Sequence, residues 1–266
     1  MSVVSLAPAA RAQGKKPTAI DELLRETEKI ARIVSRLRSL KAKRPIRKRV
    51  ASKPQIRRYV KSRIETQFSD AELRVQGEVL HYFGLIPPKV DYKAYILEFV
   101  TAQLGGYYDP DAGQLVIADW IPVATQKPVL AHEIVHALQD QHFGLKRFLK
   151  RTPGNSDRTG ARMALVEGEG LAVMFLFVAE ALGGQRAISL ARLPSLMAMQ
   201  VGMMKLMMKR IFPKATDYII DWQLFPYVEG LKFVAALHAR FGWAGVDRVY
   251  KRLPISTEQV LHPEKY

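Results

Sequence analysis

With 266 residues, 48% of them apolar, the chain can fold as one large domain, or as one domain with an extension, around a sizeable core. It has no cysteine, which excludes disulfides and thiolate metal sites, so any bound metal must be held by nitrogen and oxygen. The net charge of +16 is uneven: residues 1–63 hold 19 Lys or Arg against 4 Asp or Glu, and the remainder holds 22 against 21, leaving a nearly neutral body.

Residues 1–20 are small and irregular, with Ala10-Arg11-Ala12 placed like a small-x-small cleavage site after a short apolar run. A leader remnant is read here in preference to a disordered end, which favours the cell envelope or secretion over the cytoplasm. Asp21 to Leu40 has the period of an amphipathic helix, with Leu23, Ile30 and Leu37 seven residues apart. The basic run Lys41–Lys53 reads either as a solvated hinge or as a grip on an anionic membrane surface made by residues 21–63. No aromatic residue is interleaved in that run to stack on bases, so nucleic acid is disfavoured as a partner.

Three helices follow, from Pro54 with Ser52 as its cap, from Asp70 to Phe83, and after Asp91 to Leu104. The pattern then changes. Tyr107-Tyr108, a turn at Asp109–Gly113 and Gln114–Ala118 read as a β-hairpin. Immediately after it, Pro128–Phe143 reads as a helix carrying His132-Glu133-Ile134-Val135-His136, with Pro128 in the first turn. A spacing of four puts His132 and His136 on one face, where both imidazoles can reach one ion. Glu133 lies on the neighbouring rim, where its carboxylate can act as general base toward a water.

Asp157 to Leu182 reads as a long helix, apolar nearly all round and therefore buried. Glu167, Glu169 and Glu180 in such a helix are costly unless each is paired or bound to metal. Glu167, 31 residues past His136, is the first candidate for a third zinc ligand, with Glu169 the competitor. Gly168 and Gly170 would let another backbone come close. Asp140 and Asp157 fit supporting roles, holding a ring N–H or orienting a helix end. The Met-rich stretch 185–212 is read as core or lid helices, or as an adaptable groove for peptide or lipid. Its longest charge-free run, Leu193–Met204, is too short to span a bilayer. A helix from Pro226 to Phe241 and the segment Ser256–Tyr266 complete the chain. Groups able to stabilise an oxyanion are His262, Tyr108, Tyr227 and Tyr266, of which His262 is preferred. His81, His142 and His238 are read as structural.

The His132-Glu133-x-x-His136 motif followed by Glu167-Gly168 in a second helix resembles the gluzincin group of zinc metallopeptidases, which have a thermolysin-like active site. The wider run is similar to a bacterial family of predicted zinc-dependent peptidases. It comprises Gly106-Tyr-Tyr-Asp-Pro110, Ala131–Phe143, Ala164-Leu-Val-Glu-Gly168 and Ser256–Tyr266, and covers roughly residues 56–266. The resemblance implies a mostly helical α+β fold, a zincin-like catalytic domain over 56–266, with a small hairpin or sheet before the active-site helix. Residues 21–55 then form a basic helical extension with its hinge. It also implies Zn2+ held by His132, His136 and Glu167, with Glu133 as general base and peptide or protein as substrate. The hairpin strand with Tyr108 would line an extended substrate. A reading of another class is a membrane-surface or scaffold protein whose zinc site is structural or lost, docking through the basic N-terminal helix.

Overall fold

The computed structural model describes residues 19–183 and 189–266; the leader-like start, residues 1–18, lies outside them. In chain order the elements are α1 (Ala19–Arg38), β1 (Arg47–Ala51), α2 (Lys53–Gln67), α3 (Asp70–Tyr82), α4 (Tyr92–Gln103), β2 (Gly106–Asp109), β3 (Gln114–Ala118), α5 (Val123–Phe143), α6 (Leu145–Phe148), α7 (Ser156–Ala181), α8 (Leu193–Ile211), α9 (Asp217–Val249) and α10 (Thr257–Leu261). The fold is thus α+β and mostly helical, with one small sheet.

That sheet has the order β1-β3-β2. β2 and β3 form the expected antiparallel hairpin, Gly106 opposite Ile117 and Asp109 opposite Gln114. β1 is the unexpected strand: Arg47–Ala51 lies parallel to Gln114–Ala118, residue for residue. Part of the basic run is therefore sheet and not hinge. The loop before it is pinned as well, because Gln141 on α5 accepts from Lys43 N (2.7 Å) and donates to Arg44 O (3.1 Å).

The apolar face of α1 is spent inside the protein. Leu23, Ile30, Val34 and Leu40 form one buried cluster with Leu115 and Ile117 of β3, Leu130, Ile134, Val135 and Leu138 of α5, and Val173 and Phe177 of α7. Burying each such side chain stabilises by about 1.5–3 kcal/mol. Capping sets the next helices: Ser69 accepts from Glu72 N at the start of α3, and Asp91 from Ala94 N at the start of α4.

α5 starts a turn and a half earlier than its sequence suggests, and Pro128 lies inside it. Tertiary contact outweighs the local signal: the buried Gln126 amide in that added stretch donates to Ala118 O of β3 (3.1 Å). At the other end Gly144 takes the left-handed conformation, φ 75°, and closes the helix onto Asp140 O. α9 likewise begins at Asp217, where Thr216 caps it, nine residues ahead of Pro226, and it kinks at Gly242.

α7 and α9 cross at contact of their backbones. A Cβ on Gly168 would lie 2.1 Å from Gly230 C, and one on Gly230 would lie 2.0 Å from Ala164 O. No side chain fits at this crossing, and the turn of α7 it fixes carries Glu167.

Candidate metal centre

Two elements deliver the site. α5 carries His132, Glu133 and His136, all buried (8%, 9% and 7% exposed), and α7 brings Glu167 against them. His132 Nε2 is 3.0 Å from Glu167 Oε2 and 3.0 Å from His136 Nε2, and His136 Nε2 is 3.4 Å from Glu167 Oε2. The imidazole rings stand at 89° to each other, 4.6 Å between centroids. One nitrogen from each ring and one carboxylate oxygen thus fall within 4.8 Å of one another, close enough to bind a metal ion. Glycine makes room: a Cβ on Gly170 would sit 2.7 Å from His132 Cε1. Gly170 therefore faces the metal helix, whereas Gly168 faces α9.

The charges are strongly coupled. Burial by itself lowers the pKa of His136, but the Glu167 carboxylate overcomes this, aided by Glu133, and holds it up at about 9. Burial would raise the Glu167 pKa; the two imidazoles hold it well below the usual carboxylate range instead. Such a carboxylate stays ionised and available to a cation.

No family model, curated protein or solved structure matches the chain. What the residues can do is therefore read from their surroundings.

Among the oxyanion candidates, the structure brings Tyr227 of α9 to the cluster. Its ring lies over His132, centroids 6.0 Å apart and planes 29° apart. Burial and the charges of Glu167 and Glu133 keep its phenol protonated, with a pKa well above the ordinary value. His262 is half-exposed at the end of α10, its ring nitrogens 3.4 Å from Glu264 and 3.9 Å from Glu258, in a segment that packs on α7 and α9. Tyr266 is near it, bonded to Arg252 O with its ring against Phe233. Tyr108 lies on β2, but its hydroxyl donates to Asp140 Oδ2 (2.8 Å), which anchors the hairpin to α5.

The supporting groups differ from the expected ones. Asp140 holds Tyr108 and caps α6 through Leu145 N, and Asp157 accepts from Thr257 N (3.2 Å) at the start of α10. The partner of a ring N–H is Gln139, whose Oε1 is 2.8 Å from His136 Nδ1. Glutamine at i+3 from a histidine is too common on a helix for the sequence to single it out. Glu169 is fully buried and points away from the metal cluster, paired with Arg38 (2.6 Å); Glu180 pairs with Arg36 (2.5 Å). Glu167 and Glu169 have thus found the partners their burial requires, whereas Glu180 is exposed near the end of α7. His142 donates to Lys41 O (2.7 Å), and His238 lies against Trp243 (4.7 Å). His81 is exposed on α3, outside the cluster.

Proposed function

We propose that the chain is a zinc-dependent peptidase with a zincin-like catalytic domain. The observation that carries this reading is the convergence of His132, His136 and Glu167 from two helices, with ligating atoms within 4.8 Å. Two imidazoles and one carboxylate, without sulfur, make a donor set that suits zinc and leaves a coordination position open for solvent. When bound, such an ion supplies Lewis acidity, polarising a carbonyl oxygen and lowering the pKa of a water. Glu133, next to the ligands on α5, is the base that takes the proton and passes it to the leaving amine. Tyr227, protonated and with its ring over His132, serves as the donor to negative charge on the carbonyl oxygen in this reading.

The sheet supports the substrate class. β2 is an outer strand, with no strand on its far side among the described residues. Gly105 and Gly106 at its start line a small cavity together with Glu133. An extended peptide pairing with this edge would run past the general base, as strand addition does in peptide recognition generally.

Glu133→Gln tests the assignment. The variant is expected to retain its metal while cleavage of a peptide library falls by about 10²–10⁴-fold. Unchanged cleavage would remove Glu133 from the mechanism, and no cleavage by the wild type under any metal loading would remove the peptidase reading.

A second reading, docking on an anionic membrane surface, is favoured by α8 in place of α1. Leu196, Met199, Met203, Leu206, Met207 and Ile211 form an outward stripe, 40 to 82% exposed. Residues 181–216 contain six Lys or Arg and no acid, the composition that anionic headgroups attract. No helix among the described residues is long and apolar enough to cross a membrane. Co-sedimentation with vesicles containing anionic lipid is expected to drop in a Met203→Glu, Leu206→Glu double variant; equal binding of wild type and variant would refute this docking site.

A further inference from the structure

A line of buried hydrogen bonds runs from the N-terminal helix to the candidate metal ligand. Arg38, the last residue of α1, is fully buried and donates from Nε to Glu169 Oε1 (2.6 Å) and from a terminal nitrogen to Asp247 Oδ1 (2.6 Å). The other oxygen of Glu169 accepts from the hydroxyl of Tyr250 (2.7 Å). The Tyr250 oxygen accepts from Gln139 Nε2 (2.9 Å), which also donates to Val166 O (3.1 Å). Gln139 Oε1 faces His136 Nδ1 at 2.8 Å. Gln139 and Glu169 are completely buried, so no solvent competes for these bonds.

The direction of every proton in this line follows from its far end. Glu169, ionised against a guanidinium, can only accept, so Tyr250 must donate to it. The Tyr250 oxygen then meets Gln139 as an acceptor, and Val166 O is an acceptor by nature. The amide of Gln139 therefore has its NH2 on that side, because the flipped amide would set its oxygen against two acceptors, the Tyr250 oxygen and the Val166 carbonyl oxygen, and loss of the first weakens that preference. Gln139 Oε1 is left facing His136, whose Nδ1 must carry the proton. The lone pair of His136 is then on Nε2, the nitrogen beside His132 and Glu167.

We infer that Arg38, Glu169, Tyr250 and Gln139 act as positioning residues that fix the ring and tautomer of His136 for metal binding. The basic N-terminal helix thereby belongs to the metal centre. This rests on His136 being a metal ligand, and it adds a function for α1 that the peptidase reading does not require. Removing a group that orients a ligating histidine costs about 10–100-fold in metal affinity.

The test uses Tyr250→Phe in the full chain, with Glu169→Gln beside it. The Tyr250 ring is stacked on Phe143 at 4.0 Å, so phenylalanine keeps the packing and removes only the oxygen. Zinc affinity, measured by competition with a chromophoric chelator, is expected to weaken about 10–100-fold in both variants. In ¹⁵N–¹H spectra of the metal-free protein at alkaline pH, where the imidazole is neutral, His136 is expected as the Nδ1–H tautomer in wild type and as a mixture in the variants. A merely structural network would lower the melting temperature and leave tautomer and affinity alone, and that result overturns the proposal. If the wild type binds no zinc, the peptidase reading fails by itself; the tautomer measurement still decides whether this line sets the state of His136.

Discussion

Metal-free His136 holds a proton that an incoming cation has to displace. Burial opposes its charge, Glu167 favours it more strongly, and the result is a pKa raised to about 9 from an ordinary value of about 6.5. For a group whose pKa is raised on folding, the added stability is complete below the ordinary value and is lost as pH climbs through the folded one. The metal-free protein is therefore expected to lose thermal stability between about pH 6.5 and 9. Metal affinity should rise over the same window, since the ligand must be deprotonated. Melting curves of chelator-treated protein across that range check the first point; a flat profile, or a rise, would show that the pair is not formed as described. The residues with a fixed chemical spacing, His132, Glu133 and His136, were legible in the sequence because one helix turn places them. Gln139 was not singled out, and Tyr227 stood behind His262 among four oxyanion candidates, since their roles depend on which helix lies opposite, and no local pattern records that.

At the scale of elements, the α7–α9 crossing sets where Glu167 stands. A methyl group at Gly168 would lie 2.1 Å from the backbone of Gly230, with no flexible side chain to give way. Gly168→Ala is expected to cost about 3 kcal/mol in chemical denaturation, at the upper end of overpacking effects, as the two helices separate. Gly170→Ala presses on the His132 ring at 2.7 Å, so it should weaken metal binding more than it lowers stability. Equal, near-zero effects of both would mean that the helices are not in backbone contact. The sequence offered the glycines but not which neighbour each would meet. It also concealed β1: Arg-Lys-Arg-Val-Ala has neither a strand's alternation nor a continuous apolar run, and its parallel partner β3 comes only after three helices and another strand. Capped helices such as α3 and α4, and the hairpin with its Asp109-Pro-Asp-Ala-Gly113 turn, were legible because their signals are local.

Across the whole molecule, the basic N-terminal segment contributes both to the core and to the sheet. α1 and the turn after it set four large apolar side chains, Leu23, Ile30, Val34 and Leu40, into the cluster under α5, at about 1.5–3 kcal/mol each, against a net stability of only about 5–15 kcal/mol for a typical domain. Deleting residues 1–52 is therefore expected to yield aggregated or unfolded protein, and limited trypsin digestion should cut the Lys41–Arg49 region no faster than the chain unfolds globally. A soluble 53–266 fragment with unaltered metal affinity would show instead that the segment is a separable extension.

Metal stoichiometry by mass spectrometry, on wild type beside His132→Ala, His136→Ala and Glu167→Ala, bears most directly on the central claim. One divalent ion per chain is expected in the wild type, with loss or severe weakening in each of the three variants. A wild type that takes up no divalent ion, or three variants that all retain one, would contradict it.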